Sequence, residues 1–189
     1  MTGLDLDRDA LVEVAVLVTD SELNILGEGV DVIIRPPVEA LANMPEVVRV
    51  MHTTSGLLEE LEQGVTLAEA EERVLAYVRE HVPEAGKTPL CGNSVATDRG
   101  FLARDMPTLE RHLHYRIVDV SSIKELARRW YPKAYYNSPP KGGNHRALAD
   151  IRESIDELRY YREAVFVPQP GPDADTARAI AEKYRATAD

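Results

Sequence analysis

A histidine and an aspartate near the carboxyl end of the chain could together activate a water molecule. His145 lies in the segment "KGGNHRALADI", and Asp150 follows it five positions later. An imidazole with an ordinary pKa near 6.5 can take a proton from water at neutral pH. Five helical residues turn the chain by roughly 140°, so the two side chains do not share a helical face as the histidines of a zinc HExxH motif do. The glycines before His145 instead indicate a mobile approach to a helix.

A second aspartate, Asp98, lies in "CGNSVATDRGFL". Two aspartates at strand ends with no basic residue between them repel each other unless a cation separates them, and carboxylate oxygens suit Mg²⁺ or Mn²⁺. The spacing of cysteine and histidine that binds zinc is absent from the sequence. Structural roles remain open: Asp98 as a helix cap or first-turn carboxylate, His145 as a surface histidine, and Asp150 as a partner of the helix dipole.

The first half of the chain predicts a hairpin followed by helices. "LVEVAVLVTD" (11–20) and "ILGEGVDVIIR" (25–35) are rich in β-branched residues, and "SELN" between them has the composition of a turn. Short helical patterns follow in 45–64. Residues 66–82 predict a longer helix, because Thr66 and Glu69 have the spacing of a capping box.

The second half predicts alternating strands and helices. The expected elements are a strand at 88–92, a helix around 98–106, a strand at 115–120, a helix at 121–130 and a last helix from about 147. Ser122 and Glu125 repeat the capping-box spacing, and 131–143 predicts a loop. The fold class is therefore α/β with a mixed sheet, whose ligands are expected at the carboxyl ends of its strands.

Composition limits the kinds of protein that this chain can be. At 189 residues it fits one domain, and residues 167–189 form a proline-rich, flexible tail outside the core. A net charge of −10 repels long nucleic acids, so only short ones are expected at a local site. The single cysteine, Cys91, suits a reducing compartment, and no apolar run is long enough to cross a membrane. We expect a cytoplasmic protein that does not interact with membranes.

Three segments together carry a resemblance to a known family: "CGNSVATDRGFL", "HYRIVDVSSIKELARRWYP" and "NHRALADIRES". They resemble the oligoribonuclease family of the DEDDh exonuclease superfamily, as do "MTGLDL", "EVAVLVTDSELNILGEG" and "MHTTSGL". The resemblance runs over residues 1–166, which would form the exonuclease domain. It implies a ribonuclease-H-like mixed sheet flanked by helices, and a homodimer. It also implies two-metal-ion cleavage of short single-stranded RNA from its 3′ end to nucleoside monophosphates, with Mg²⁺ or Mn²⁺.

The same resemblance implies roles for individual residues. Asp98 and Asp150 match metal-binding carboxylates, and His145 matches the general base that activates the attacking water. Leu4 matches an apolar residue that wedges between the last bases, and His52 a histidine that contacts substrate. Ordinary packing for Leu4 and a helix-end position for His52 are the structural alternatives.

Four further residues match positions near the far end of a short substrate. Tyr115 and Arg116 match residues that a dimer partner lends to the neighbouring site. Ser94 and Ser121 are weaker candidates for contacts to the 5′ phosphate of the substrate. The structural alternative for Tyr115 is ordinary packing.

The resemblance also implies that part of the site is missing. In the family, the first strand carries an aspartate and a glutamate, one residue apart, directly before the Thr-Gly-Leu that here follows Met1. Asp5, Asp7 and Asp9 cannot replace them by position, because all three follow Leu4. We therefore expect a sheet without its central first strand and an incomplete metal site. The expected cause is translation assigned from an internal methionine, with a native start upstream.

Three functions stay open on these grounds. The first is the short-RNA exonuclease. Within the same class, an exonuclease of single-stranded DNA is the alternative, which the run "DVSSIKELARRWYP" at 119–132 disfavours. A shortened, inactive module that binds a short nucleotide or dimerises is the alternative from another class.

Overall fold

A computed structural model describes residues 1–140, 142–143 and 145–185. The chain opens with an ordered loop and then forms the predicted antiparallel hairpin of β1 (Glu13–Thr19) and β2 (Ile25–Ile33). The side chain of Asp20 fixes the turn by accepting hydrogen bonds from the backbone N–H groups of Glu22 and Asn24, both at 2.9 Å. Alternating β-branched residues and a polar turn thus produce the hairpin locally.

Four helices follow the hairpin: α1 (Val38–Ala42), α2 (Glu46–Thr54), α3 (Leu57–Glu60) and α4 (Leu67–His81). The sequence did not predict α1. The capping box at the start of α4 is confirmed, since Thr66 and Glu69 each accept a hydrogen bond from the other's backbone N–H. The buried face of α4 packs on the hairpin, with Val74 fully buried.

The second half contains a parallel strand pair, β3 (Pro89–Gly92) and β4 (His114–Asp119). The helices of this half are α5 (Val95–Asp105), α6 (Pro107–His112), α7 (Val120–Trp130), α8 (Pro132–Tyr136), α9 (Ala147–Ala164) and α10 (Ala174–Arg185). Helix α8 lies in the segment that predicted only a loop. No residue of α10 is buried.

The predicted cap at Ser122 is wrong. Helix α7 begins at Val120, so Ser122 already lies inside its first turn. Asp119 caps the helix instead, because its side chain accepts a hydrogen bond from the N–H of Ser121 at 2.9 Å. A strand that ends directly in a helix leaves its last residue as the cap.

The strands do not join into one mixed sheet. Among the described residues they form two separate pairs, antiparallel β1–β2 and parallel β3–β4. A cavity of about 170 Å³ lies between the pairs, lined by residues 15–19 of β1, by β3 and by α9. In the described part of the chain, β1 and β3 each pair with a strand on one side only.

Three groups of buried side chains form the core of the described residues. The largest joins the hairpin, α4 and α5, and includes the fully buried Phe101 and Met106. A second packs Val12, directly before β1, against Leu57 and Leu61. A third, around the fully buried Tyr161, joins α7 to α9. In the ranges that the structure covers, no helix is long and apolar enough to cross a membrane.

Candidate active site

A cavity of about 570 Å³ lies at the carboxyl end of β3, between β1, α5 and α9. Asp98 reaches it from the first turn of α5, and Asp150 from the first turn of α9. His145 and His52 also line it. The structure therefore brings together four residues that are far apart in the sequence, and it does so at the edge where α/β folds bind their ligands.

Asp98 is a partly buried carboxylate whose pKa is raised. Burial is the main cause, and the nearby charge of Asp119 acts in the same direction. A hydrogen bond from its own backbone and the amino group of Met1 oppose the shift. A carboxylate that is costly to ionise in this position is stabilised by a bound cation.

The donor set partly fits a divalent metal. Asp98 and Asp150 supply carboxylate oxygens to one cavity, as a hard cation requires. Within the described ranges, however, no group of three or more histidine, cysteine, aspartate or glutamate side chains is placed to hold a metal ion. The described residues thus place two aspartate carboxylates at one cavity without a complete set of metal ligands.

Replacing Asp98 with asparagine is expected to raise the melting temperature at neutral pH. A raised pKa means that the folded chain binds this proton more tightly than the unfolded chain, so ionising Asp98 lowers stability as the pH rises above its ordinary pKa of 3.8. Melting temperatures of the wild-type and Asp98→Asn chains, measured from below pH 3.8 to neutral pH, test this expectation. The gain should disappear below that pKa.

The matched control for this change is Asp173→Asn. The pKa of Asp173 is lowered by hydrogen bonds from Thr176, so removing its charge should give no gain in stability. A gain for Asp98→Asn that is the same at all pH values would contradict the electrostatic explanation.

His145 is exposed and lies in the left-handed region of backbone space, with φ +50. Gly143 also has a positive φ, +69, and the N–H of Gly142 donates to the carboxylate of Glu153 at 2.7 Å. Left-handed backbone is unfavourable for residues other than glycine and persists only where the surroundings hold it. His145 therefore lines the cavity from a backbone conformation that is unusual for a histidine.

His52 is buried, with only 3% of its surface exposed. Its Nε2 atom lies 2.9 Å from the backbone oxygen of Met1, and burial lowers its pKa. A neutral ring that donates through Nε2 leaves Nδ1 as an acceptor. Nδ1 is buried and has no hydrogen-bond partner among the described residues.

Three residues at the site were missed by the sequence predictions: Glu13, Glu60 and Arg146. Glu13 lies at the start of β1 and lines the cavity. Its carboxylate accepts hydrogen bonds from Arg146 Nε at 2.7 Å and from the N–H of Ala147 at 2.8 Å. One signal was visible beforehand, since Glu13 is the only charged residue in the apolar run 11–19.

Ser94 and Ser121 are brought together at the carboxyl ends of β3 and β4. Their hydroxyl oxygens lie 3.3 Å apart, and the N–H of Ser94 donates to the hydroxyl of Ser121 and to the carboxylate of Asp119, both at 3.0 Å. Ser94 has a left-handed φ of +54. This arrangement presents two hydroxyls beside the start of α5.

Leu4 is 73% exposed, although the loop that carries it is tightly fixed. The carboxylate of Asp9 accepts hydrogen bonds from the hydroxyl of Thr2 and the N–H of Asp5, both at 2.9 Å. The side chain of Leu4 is not part of the core. Ordinary packing therefore does not explain its apolar character.

Tyr115 and Arg116 are exposed residues of β4, outside the residues that line the cavity. Tyr115 is 73% exposed, and the guanidinium of Arg116 lies 5.5 Å from the centre of its ring. Arg99 fixes this strand by donating to the backbone oxygens of His114 and Tyr115, both at 2.9 Å. The structure thus does not bring Tyr115 and Arg116 to the cavity of their own chain.

Comparison with known proteins relates this site to a family. The family model described as "Exonuclease" matches residues 1–158. The oligoribonuclease of Streptomyces coelicolor is 80% identical over 184 residues, which are 97% of this chain and 92% of the relative. This chain belongs to the oligoribonuclease family of exonucleases. The oligoribonuclease of Streptomyces griseus is similar too, with 76% identity over all of this chain and 94% of the relative.

Membership in the oligoribonuclease family confirms that the chain is a nuclease. It also agrees with the α/β class, since the small sheets are flanked by helices as in exonucleases. The prediction of a truncated chain gains no support, because the alignments cover 97% of this chain or more in these relatives.

Proposed function

We propose that this chain is a 3′-to-5′ exoribonuclease that degrades short oligoribonucleotides to nucleoside monophosphates. One observation carries the proposal: Asp98, His145 and Asp150 line a single cavity, in a chain 76–80% identical to proteins named oligoribonuclease. Acidic side chains beside a histidine are the groups that phosphodiester hydrolysis needs. We place this activity in the cytoplasm and in a domain of residues 1–166.

In this proposal the carboxylates bind metal ions and the imidazole transfers a proton. Asp98 and Asp150 would hold Mg²⁺ or Mn²⁺, with two ions in the complete site. Such ions supply Lewis-acid stabilisation to the attacking and leaving oxygens. His145 takes the proton from the attacking water, since its exposed position at the cavity leaves the ring accessible.

Substrate binding uses the residues around the cavity. Leu4 wedges against the terminal bases from its fixed loop, and His52, which lines the cavity, contacts the substrate. The paired hydroxyls of Ser94 and Ser121 contact the 5′ phosphate. A substrate with few phosphates suits a chain of net charge −10, which gains little from counterion release.

The direct test uses a labelled RNA dinucleotide in Mg²⁺ and in Mn²⁺. Cleavage by the wild-type chain, and none by an identically prepared Asp150→Asn chain, would support the proposal and exclude a contaminating nuclease. Preferential cleavage of the matching DNA dinucleotide would favour the DNA exonuclease. Binding in EDTA without turnover in metal would favour the inactive nucleotide-binding module.

The exposed residues of β4 support a homodimer. Tyr115 and Arg116 do not line the cavity of their own chain, and Arg99 holds their strand in place. Exposed aromatic and arginine side chains are common at protein interfaces. We propose that each chain lends this pair to the site of its partner.

Mixing two inactive variants should restore activity if this arrangement is correct. Asp150→Asn keeps a normal Tyr115, and Tyr115→Ala keeps a normal Asp150. A mixed dimer therefore has one intact site, and random exchange of subunits should recover about a quarter of the wild-type rate. Dinucleotide cleavage after exchange measures this recovery. No recovery, with mixed dimers shown by mass spectrometry, would mean that Tyr115 serves its own chain.

We also propose that a further central strand belongs between β1 and β3. The cavity there is bordered by both strands, and each pairs with a strand on its other side. One inserted strand could pair with both and so join the two strand pairs into one sheet. Hydrogen exchange of the β1 amides would report whether this edge is bonded.

A further inference from the structure

A charged cluster joins three distant parts of the chain beside the cavity. Arg146 donates through Nε to Glu13 of β1 at 2.7 Å, and through Nη1 to Glu60 at the end of α3 at 3.0 Å. A second contact from Nη2 to Glu60 measures 3.3 Å. The other carboxylate oxygen of Glu13 accepts the N–H of Ala147, the first residue of α9. We name this the Glu13–Arg146–Glu60 cluster.

The cluster is more than a surface ion pair. Only 5% of the Glu13 side chain and 28% of the Arg146 side chain are exposed. Exposed ion pairs contribute little to stability, and buried ones rarely contribute more than apolar residues of similar volume. A charge pair in this position, with its hydrogen bonds satisfied, is instead suited to fixing one geometry.

The geometry that it fixes is that of the catalytic candidates. Arg146 directly follows His145, whose left-handed φ of +50 needs support from its surroundings. The backbone oxygen of Arg146 accepts the N–H of Asp150 at 3.0 Å and so begins the hydrogen-bond ladder of α9. The contacts of Arg146 with Glu13 and Glu60 therefore restrain both the preceding residue, His145, and the first turn of α9, which carries Asp150.

We propose that Arg146 is a positioning residue, which Glu13 and Glu60 hold so that His145 and Asp150 face the same cavity. This proposal rests on the proposed exoribonuclease function. It assigns the residues a role in the rate of the chemical step rather than in substrate binding, because Arg146 and Glu60 do not line the cavity and both carboxylate oxygens of Glu13 already accept hydrogen bonds.

Arg146→Gln is expected to lower kcat by about 10- to 100-fold, as for other groups that orient catalytic ligands, with little change in KM. Arg146→Lys restores a cation but not the planar fork, so it should recover part of the loss. Glu60→Gln, at a half-exposed residue, is a milder variant that should still fold. The measurements are kcat and KM with an RNA dinucleotide, and melting temperatures for every variant.

Arg162→Gln is the matched control. Arg162 also lies on α9 and also pairs with a glutamate, Glu22, but it is remote from the cavity. It removes the same charge and should leave kcat within about twofold of wild type. Equal kcat values for Arg146→Gln and Arg162→Gln would overturn the proposal. So would a loss that follows melting temperature and is not relieved by Arg146→Lys.

A second readout is independent of activity. Amide hydrogen exchange of residues 147–150 should be faster in Arg146→Gln than in wild type, and unchanged in Arg162→Gln. A wild-type chain that does not cleave RNA would contradict the proposed function. The exchange measurement would then still show whether the cluster fixes the start of α9. Unchanged exchange in Arg146→Gln would refute it.

Discussion

Asp150→Asn is expected to lower kcat/KM for an RNA dinucleotide by about a thousandfold or more. The change keeps the shape of the side chain but removes a negative charge from the cavity that Asp98 and His145 also line. Metal ions stabilise the charge of a transition state by several kcal/mol, and each 1.36 kcal/mol corresponds to a factor of ten in rate. Losing one of two carboxylates should remove most of that stabilisation.

The measurement is dinucleotide cleavage in Mg²⁺ and in Mn²⁺, with metal binding followed by calorimetry. Asp156→Asn is a suitable control, since Asp156 lies on the same helix and pairs with Arg159 away from the cavity. It should retain the wild-type rate. Equal metal affinity in Asp150→Asn and wild type would show that Asp150 is not a metal ligand, whatever happens to the rate.

The elements that the sequence predicted well are those with local causes. The hairpin follows from β-branched residues on both sides of a polar turn, and α4 from a capping box four residues long. Helix α8 was missed, although it begins with Pro132 at a position where proline favours a helix start. The cap predicted at Ser122 was wrong for a different reason. A capping-box spacing can occur by chance, and the position of the strand end determines where α7 begins.

The arrangement of the strands could not be predicted in the same way. A single mixed sheet was expected from the alternation of elements, yet pairing depends on which edges meet in space. Local composition shows that a segment is a strand but not which strand lies beside it. The resemblance to oligoribonuclease implied a central first strand, and the proposed place for it is between β1 and β3, each of which pairs on one side only among the described residues.

The catalytic candidates could be predicted from local sequence, whereas the contacts beside them in the folded chain could not. Asp98, His145 and Asp150 were found because their residue types and neighbouring motifs suggest chemistry. Glu13 and Arg146 are 133 positions apart and make their contact only in the folded chain. A buried glutamate in an apolar strand is a visible anomaly, but its partner is not visible in the sequence. Contacts between distant residues, such as that of Arg146 with Glu13, are therefore harder to predict than the residue types that suggest chemistry.

His145→Gly is expected to lower kcat by about 100- to 10,000-fold, the usual contribution of a general base. Glycine is the informative substitution here, because the left-handed φ of +50 at this position suits glycine better than any other residue. The backbone should keep its shape, and the melting temperature should not fall. A loss of rate can then be attributed to the missing imidazole rather than to a distorted loop.

Added imidazole provides the decisive measurement. His145 is exposed at the edge of a cavity of about 570 Å³, so a free imidazole can reach the position that the ring occupied. It should restore part of the rate in His145→Gly and have no effect on Asp150→Asn, which still contains its histidine. His81→Gln, at a histidine packed against Tyr77 on α4, controls for general effects of losing an imidazole. If His145→Gly cleaves RNA at the wild-type rate, another group takes the proton from water, and the carboxylates of the cavity become the candidates.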